Sequence, residues 1–141
     1  MWVPNPLTPE ESEAQVMGAA HDLVATLHLQ VVDGAFWHAS CNDDGDAPFR
    51  GQMRIGYPKA ASFAESETQI AQMVDQLRAA GWQGDSDFHS HGSVLKKDNV
   101  VAIIGPQTVA TSSRDIELLG ECRDTTTTKE TRGGVEPITV S

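Results

Sequence analysis

Four side chains of metal-ligating type, Asp85, Asp87, His89 and His91, alternate along one short stretch of this sequence. On a β-strand successive side chains point to opposite faces, so all four would share a face, within reach for two or three to hold zinc or copper. The competing interpretation is a polar outer stripe, which a half-buried antiparallel sheet needs in any case, with Phe88 turned to the other side. The stripe is the expectation, and a metal-binding module built on Asp85, Asp87, His89 and His91 is the alternative.

Other arrangements fall short of a reaction centre. His38 is near Cys41, but on a strand these positions face opposite ways, so a thiolate and imidazole pair is not expected. There is no G-x-S-x-G elbow and no glycine-rich phosphate loop after a strand. The acidic run Asn42-Asp43-Asp44-Gly45-Asp46 is reminiscent of a calcium loop, but an EF-hand requires Glu six residues after its Gly, where this chain has Gly51. Asp115, Glu117 and Glu121 share one strand face, which reads as solvated carboxylates. No catalytic residue and no cofactor is expected.

The two cysteines do suggest chemistry. Cys41 ends the run Ala35-Phe36-Trp37-His38-Ala39-Ser40-Cys41, in which Ala35, Trp37, Ala39 and Cys41 alternate with their neighbours, and Cys122 shares a face with Ile116, Leu118 and Gly120. Both cysteines are read as inward residues of core strands, joined by a disulfide that ties the first hairpin to the last strand. Closing so long a loop removes roughly 4 to 5 kcal/mol of unfolded-chain entropy in the loop-closure model. Two buried free thiols in a cytosolic protein are the alternative.

The elements that position these residues follow from local signals. Thr8-Pro9-Glu10-Glu11 is a helix start with Thr8 as N-cap and Pro at the first helical position, and Val16, Ala20, Leu23 and Leu27 then recur at helical spacing to about His28. Gln30 to Gly34 reads either as a short strand or as a link. Phe49, Gly51, Met53, Ile55 and Tyr57 alternate with polar residues, predicting a strand that makes a hairpin with the preceding one and stops at Pro58. Ser62 and Glu65 open a second helix whose core face is Phe63, Ile70, Met73, Val74 and Leu77, and Gly81-Trp82 closes it in a Schellman motif. Strands are then expected from Trp82 to about His91, at Val100 to Ile104 after a turn at Lys97-Asp98-Asn99, and at Ile116 to Cys122. Residues 1–7 read as a linker, 8–123 as the domain, and 124–141, with four threonines in a row and Gly133-Gly134, as a flexible tail.

Composition bounds the partners. With 141 residues, 10 Lys plus Arg and 20 Asp plus Glu, the formal net charge is −10. Such a chain repels phosphate backbones, so no nucleic-acid partner is expected. No apolar run reaches the roughly 18 residues needed to cross a bilayer.

The order of these elements, with Trp37 and Cys41 before the hairpin, Gly81-Trp82 after the helix and Gly120-Glu121-Cys122 near the end, resembles the small cell-envelope lipoproteins of actinobacteria, including the LppA type. The resemblance spans about Thr8 to Arg123. It implies a secreted, lipid-anchored α+β domain with a cysteine pair and no catalytic residues. Met1-Trp2-Val3-Pro4 lacks a leader and lipidated cysteine, so the chain is read as a mature fragment, attached to the membrane only through an N-terminal lipid anchor of the precursor, with a cytoplasmic protein as the alternative.

The expected architecture is α+β, with two helices on one face of a mainly antiparallel sheet of about five strands. The expected function is non-enzymatic: an envelope domain that binds another envelope protein or a small apolar or glycan ligand. A phage-encoded superinfection-exclusion lipoprotein is a further alternative.

Overall fold

The computed structural model describes residues 3–84 and 92–140 of the chain. In chain order the elements are α1 (Pro9–Leu27), β1 (Asp33–Ser40), β2 (Phe49–Tyr57), α2 (Phe63–Ala79), β3 (Gln83–Gly84), β4 (Ser93–Lys97), β5 (Val100–Ile104), β6 (Arg114–Leu119) and β7 (Glu136–Pro137). The strands form one seven-stranded sheet in the order β3-β4-β5-β6-β2-β1-β7, antiparallel at every junction. Among the described residues seven strands replace the expected five: the additions are β4, which follows Gly92 where no separate strand was expected, and β7, whose two residues carry too little sequence to show a period.

Both helices start and stop where local chemistry directs. The Thr8 hydroxyl accepts from the Glu11 N–H while the Glu11 carboxylate accepts from the Thr8 N–H, a complete capping box. The Ser62 hydroxyl accepts from the Glu65 N–H at the start of α2. At the other end Trp82 N–H donates to the Leu77 carbonyl and Gly81 N–H to that of Arg78, with Gly81 at φ 102°, which is the Schellman pattern. Leu77 and Trp82 are both buried in the core, supplying the apolar contact that accompanies this cap.

Register fixes the helix-facing side of the sheet. Phe36 opposes Met53, and Met53 opposes Leu118, which opposes Ala102. This row packs with Val16, Ala20 and Leu23 of α1 and Leu77 of α2. Gly51 and Gly120 sit beneath α1, where a Cβ on Gly51 would stand 2.5 Å from the Ser12 carbonyl oxygen and one on Gly120 would stand 3.0 Å from Val16 Cγ1. The absence of side chains there lets the helix backbone lie close on β2 and β6.

Three expectations are corrected. In β1 the inward residue is Phe36 rather than Trp37, because Phe36 falls opposite Met53 in the hairpin register while Trp37 falls opposite the polar Gln52. Phe63 is 53% exposed and not part of the core, since as the first helical residue it lies beyond the sheet-facing stripe of Met73 and Leu77. Residues 124–140 run back along the domain. Asp124 pairs with Phe49 in an isolated bridge, Glu136 and Pro137 pair with β1, and Val140 is buried. The threonine run is a cradle: the Asp124 carboxylate accepts from the N–H and hydroxyl groups of both Thr126 and Thr127.

The segment before α1 is fastened as well. Leu7 N–H donates to the Arg123 carbonyl at 2.8 Å, and the Arg123 guanidinium donates to the Asn5 carbonyl.

Candidate functional site

A cleft of about 340 Å³ opens where the C-terminal end of α1, the exposed side of α2, the end of β2 and the start of β6 meet. Arg114 opens β6 with the same parity as Ile116 and Leu118, so the strand pattern turns a guanidinium toward the helices. Its register partner is Tyr57, the last residue of β2. The two stack, with the guanidinium carbon 4.5 Å from the centre of the phenol ring.

Arg114 is only 6% exposed and Tyr57 2%. Arg114 Nε donates to the Pro58 carbonyl at 2.9 Å and Nη1 to the Ser66 hydroxyl at 3.2 Å. These bonds tie the β2–α2 connection to β6. No carboxylate forms an ion pair with Arg114 among the described residues. Among the described residues the Tyr57 hydroxyl meets no hydrogen-bond partner. Burial raises the Tyr57 phenol above its usual pKa, more than the Arg114 cation lowers it, and Asp115 pushes it the same way as burial. At neutral pH the phenol is therefore an uncharged O–H donor.

The remaining lining mixes polar and apolar side chains. Gln69, Gln72 and Gln76 present amides from α2, and Leu27, Leu29 and Met73 supply apolar contact. Lys59 adds a second cation, and no Asp or Glu among the described residues lines the cleft. A cleft of about 310 Å³ beside α1 differs in this respect. There the Lys97 ammonium donates at 3.0 Å to both the Asp22 carboxylate and the Ala80 carbonyl, so its charge is met within the fold.

The residues singled out in the sequence fare differently. Cys41 and Cys122 are joined in a disulfide, with Cα atoms 6.1 Å apart, just past the ends of β1 and β6 on either side of β2. Asp85, Asp87, His89 and His91 lie outside the described residues. The acidic loop is organised by Asn42, whose side-chain oxygen accepts from the Asp44 and Asp46 N–H groups. Asp115 and Glu121 are not merely solvated: Asp115 pairs with Arg54 at 3.1 Å and Glu121 with Arg123 at 3.0 Å. His38 faces the helix side of the sheet, edge-on to Phe36 at 4.9 Å. Sequence reasoning missed Arg114 and Tyr57. The available signal was a charged residue on the inward parity of a strand.

Comparison with known proteins gives one consistent result. A family model described as "Putative lipoprotein LppJ" matches residues 8–141. Curated proteins of the same description from Mycobacterium tuberculosis and Mycobacterium bovis are 31% identical over 124 residues, covering 86% of this chain and 64% of their own length. The chain thus spans somewhat less than two thirds of these relatives. No solved structure matches it.

Proposed function

Because the chain belongs to the family described as "Putative lipoprotein LppJ", we propose that it is the folded domain of a cell-envelope lipoprotein that works outside the cytoplasm by binding rather than by catalysis. The actinobacterial lipoprotein resemblance holds at this level, with LppJ as the type. The observation that carries the location is the Cys41–Cys122 disulfide, since such bridges persist in oxidising compartments and are rare in a reducing cytosol. A lipid attached at the N-terminus of the precursor would hold the domain at the membrane, and none of the described helices is long and apolar enough to cross one.

Binding of a small ligand is favoured over catalysis by the cleft at Arg114. It joins a few placed polar groups to apolar side chains, the usual make-up of a small-molecule site. A small polar or glycan ligand, or a polar segment of another envelope protein, is the proposed occupant.

The test is detergent-phase partition and intact mass of the protein expressed from its complete gene in a mycobacterial host. The expected result is a detergent-phase protein with an acylated N-terminal peptide and no alkylatable thiol. Recovery in the cytosolic fraction with both cysteines alkylating would overturn the assignment.

A further inference from the structure

We propose that the cleft at Arg114 is a binding site for a small organic carboxylate, its anionic group seated on the Arg114 guanidinium and its remaining polar groups meeting the amides of Gln69, Gln72 and Gln76. This rests on the reading of the domain as a ligand-binding module and names the ligand class for it.

Donor counting comes first. A guanidinium has five N–H donors, of which the fold uses one on Nε for Pro58 and one on Nη1 for Ser66. Three remain, one on Nη1 and two on Nη2, and guanidinium N–H groups are suited to pairing with the oxygens of a carboxylate. Tyr57 adds an O–H without an acceptor among the described residues. The site therefore holds unmatched donors, and the buried cation has no anionic partner among the described residues, an arrangement that is costly unless something supplies the counter-charge.

Charge distribution points the same way. The chain has 20 Asp plus Glu and 10 Lys plus Arg, yet this lining takes in Arg114 and Lys59 and no carboxylate among the described residues. Neighbouring clefts contain Asp22 and Asp98, Glu67 or Asp98. With one buried cation in a chain of net charge −10, a monoanion fits better than a phosphate dianion.

Size and polarity narrow the class further. The volume of about 340 Å³ is near the lower end of small-molecule pockets, roughly 300 to 1,000 Å³. Glutamine amides both donate and accept, which suits hydroxyl or amide groups rather than an acyl chain. A sugar acid and the C-terminal residue of a peptide share this chemistry.

The experiment is calorimetric or NMR titration of the oxidised protein with D-glucuronate and with N-acetylalanine. Glucose, N-acetylalaninamide and inorganic phosphate are the controls. One of the two acids should saturate with a Kd of about 1 mM or tighter, and its uncharged counterpart should bind at least about tenfold more weakly. The acid that binds tells a sugar acid from a peptide terminus. Gln72→Glu, an exposed change on α2 that places a competing carboxylate at the rim, should weaken binding by about tenfold while leaving the far-UV spectrum unchanged. Arg114→Gln should abolish binding in whatever fraction folds.

Absence of saturation by both acids would overturn the proposal, as would tighter binding of phosphate or unchanged affinity in Gln72→Glu. Each of those results leaves the lipoprotein assignment standing, because partition and acylation are measured separately. A cytosolic, thiol-bearing protein would remove that assignment whatever the titration shows.

Discussion

Gly51 lies directly beneath Ser12, so close that a Cβ on the glycine would stand 2.5 Å from the serine carbonyl oxygen. The neighbour is helix backbone and cannot swing aside. Gly51→Ala should push α1 off β2 and cost about 1 to 3 kcal/mol, as overpacking of a close-packed core does. Gly134→Ala, where nothing stands within 4 Å of the added atom, should be close to neutral by comparison. Urea denaturation of the two variants would check the contrast.

The Cys41–Cys122 bridge closes a loop of 81 residues in sequence separation. Reduction, or the double change to Ala, should lower stability by about 2 to 4 kcal/mol. Non-reducing intact mass should be two hydrogens lighter than the reduced value, and the native unreduced protein should take up no alkylating reagent.

Asp124 is fully buried. Burial by itself would raise its pKa, but hydrogen bonds from Thr127 and Thr126 outweigh that and hold the carboxyl below its usual range. A group with a depressed folded pKa stabilises the fold above its unfolded pKa of about 3.9, and the contribution is lost as pH falls through the lower folded value. Asp124→Asn should cost about 1 to 3 kcal/mol at neutral pH. It should also flatten the acid limb of the stability profile below about pH 4. Thermal midpoints of both proteins between pH 2 and pH 7 would check it.

Deleting residues 134–141 removes β7 and the buried Val140. Burying a side chain of that size contributes about 1.5 to 3 kcal/mol, so the truncated protein should melt several degrees lower. An unchanged thermal midpoint would show that the segment lies on the domain without stabilising it.

Sequence reasoning succeeded where the signal is local and failed where it depends on partners far along the chain. Thr8, Ser62 and Gly81 each announced a helix boundary because caps are chemistry between residues within a single turn. Lys97-Asp98-Asn99 announced a turn, and Asp98 and Asn99 both adopt positive φ, at 49° and 65°. The inward face of β1 was misassigned because Ala-Phe-Trp-His-Ala is apolar on both parities, so that only pairing with β2 decides it. The role of 124–140 was hidden for a related reason. A threonine run is compositionally loop-like, and its value to Asp124 exists only once Phe49 has positioned that carboxylate. The cleft at Arg114 needed four segments brought together, which no window on the sequence contains.

The attachment of the pre-helical arm bears on how the domain would carry load. Any tether holding the chain by its N-terminal end would pull on Asn5 and Leu7, both hydrogen-bonded to Arg123. Arg123 adjoins Cys122, which is covalently joined to Cys41 at the end of β1. Tension would thus reach a covalent strut alongside the hydrogen-bonded ladders between β6, β2 and β1. Pulled from that end in a single-molecule force experiment, the oxidised domain should rupture at higher force than the reduced one.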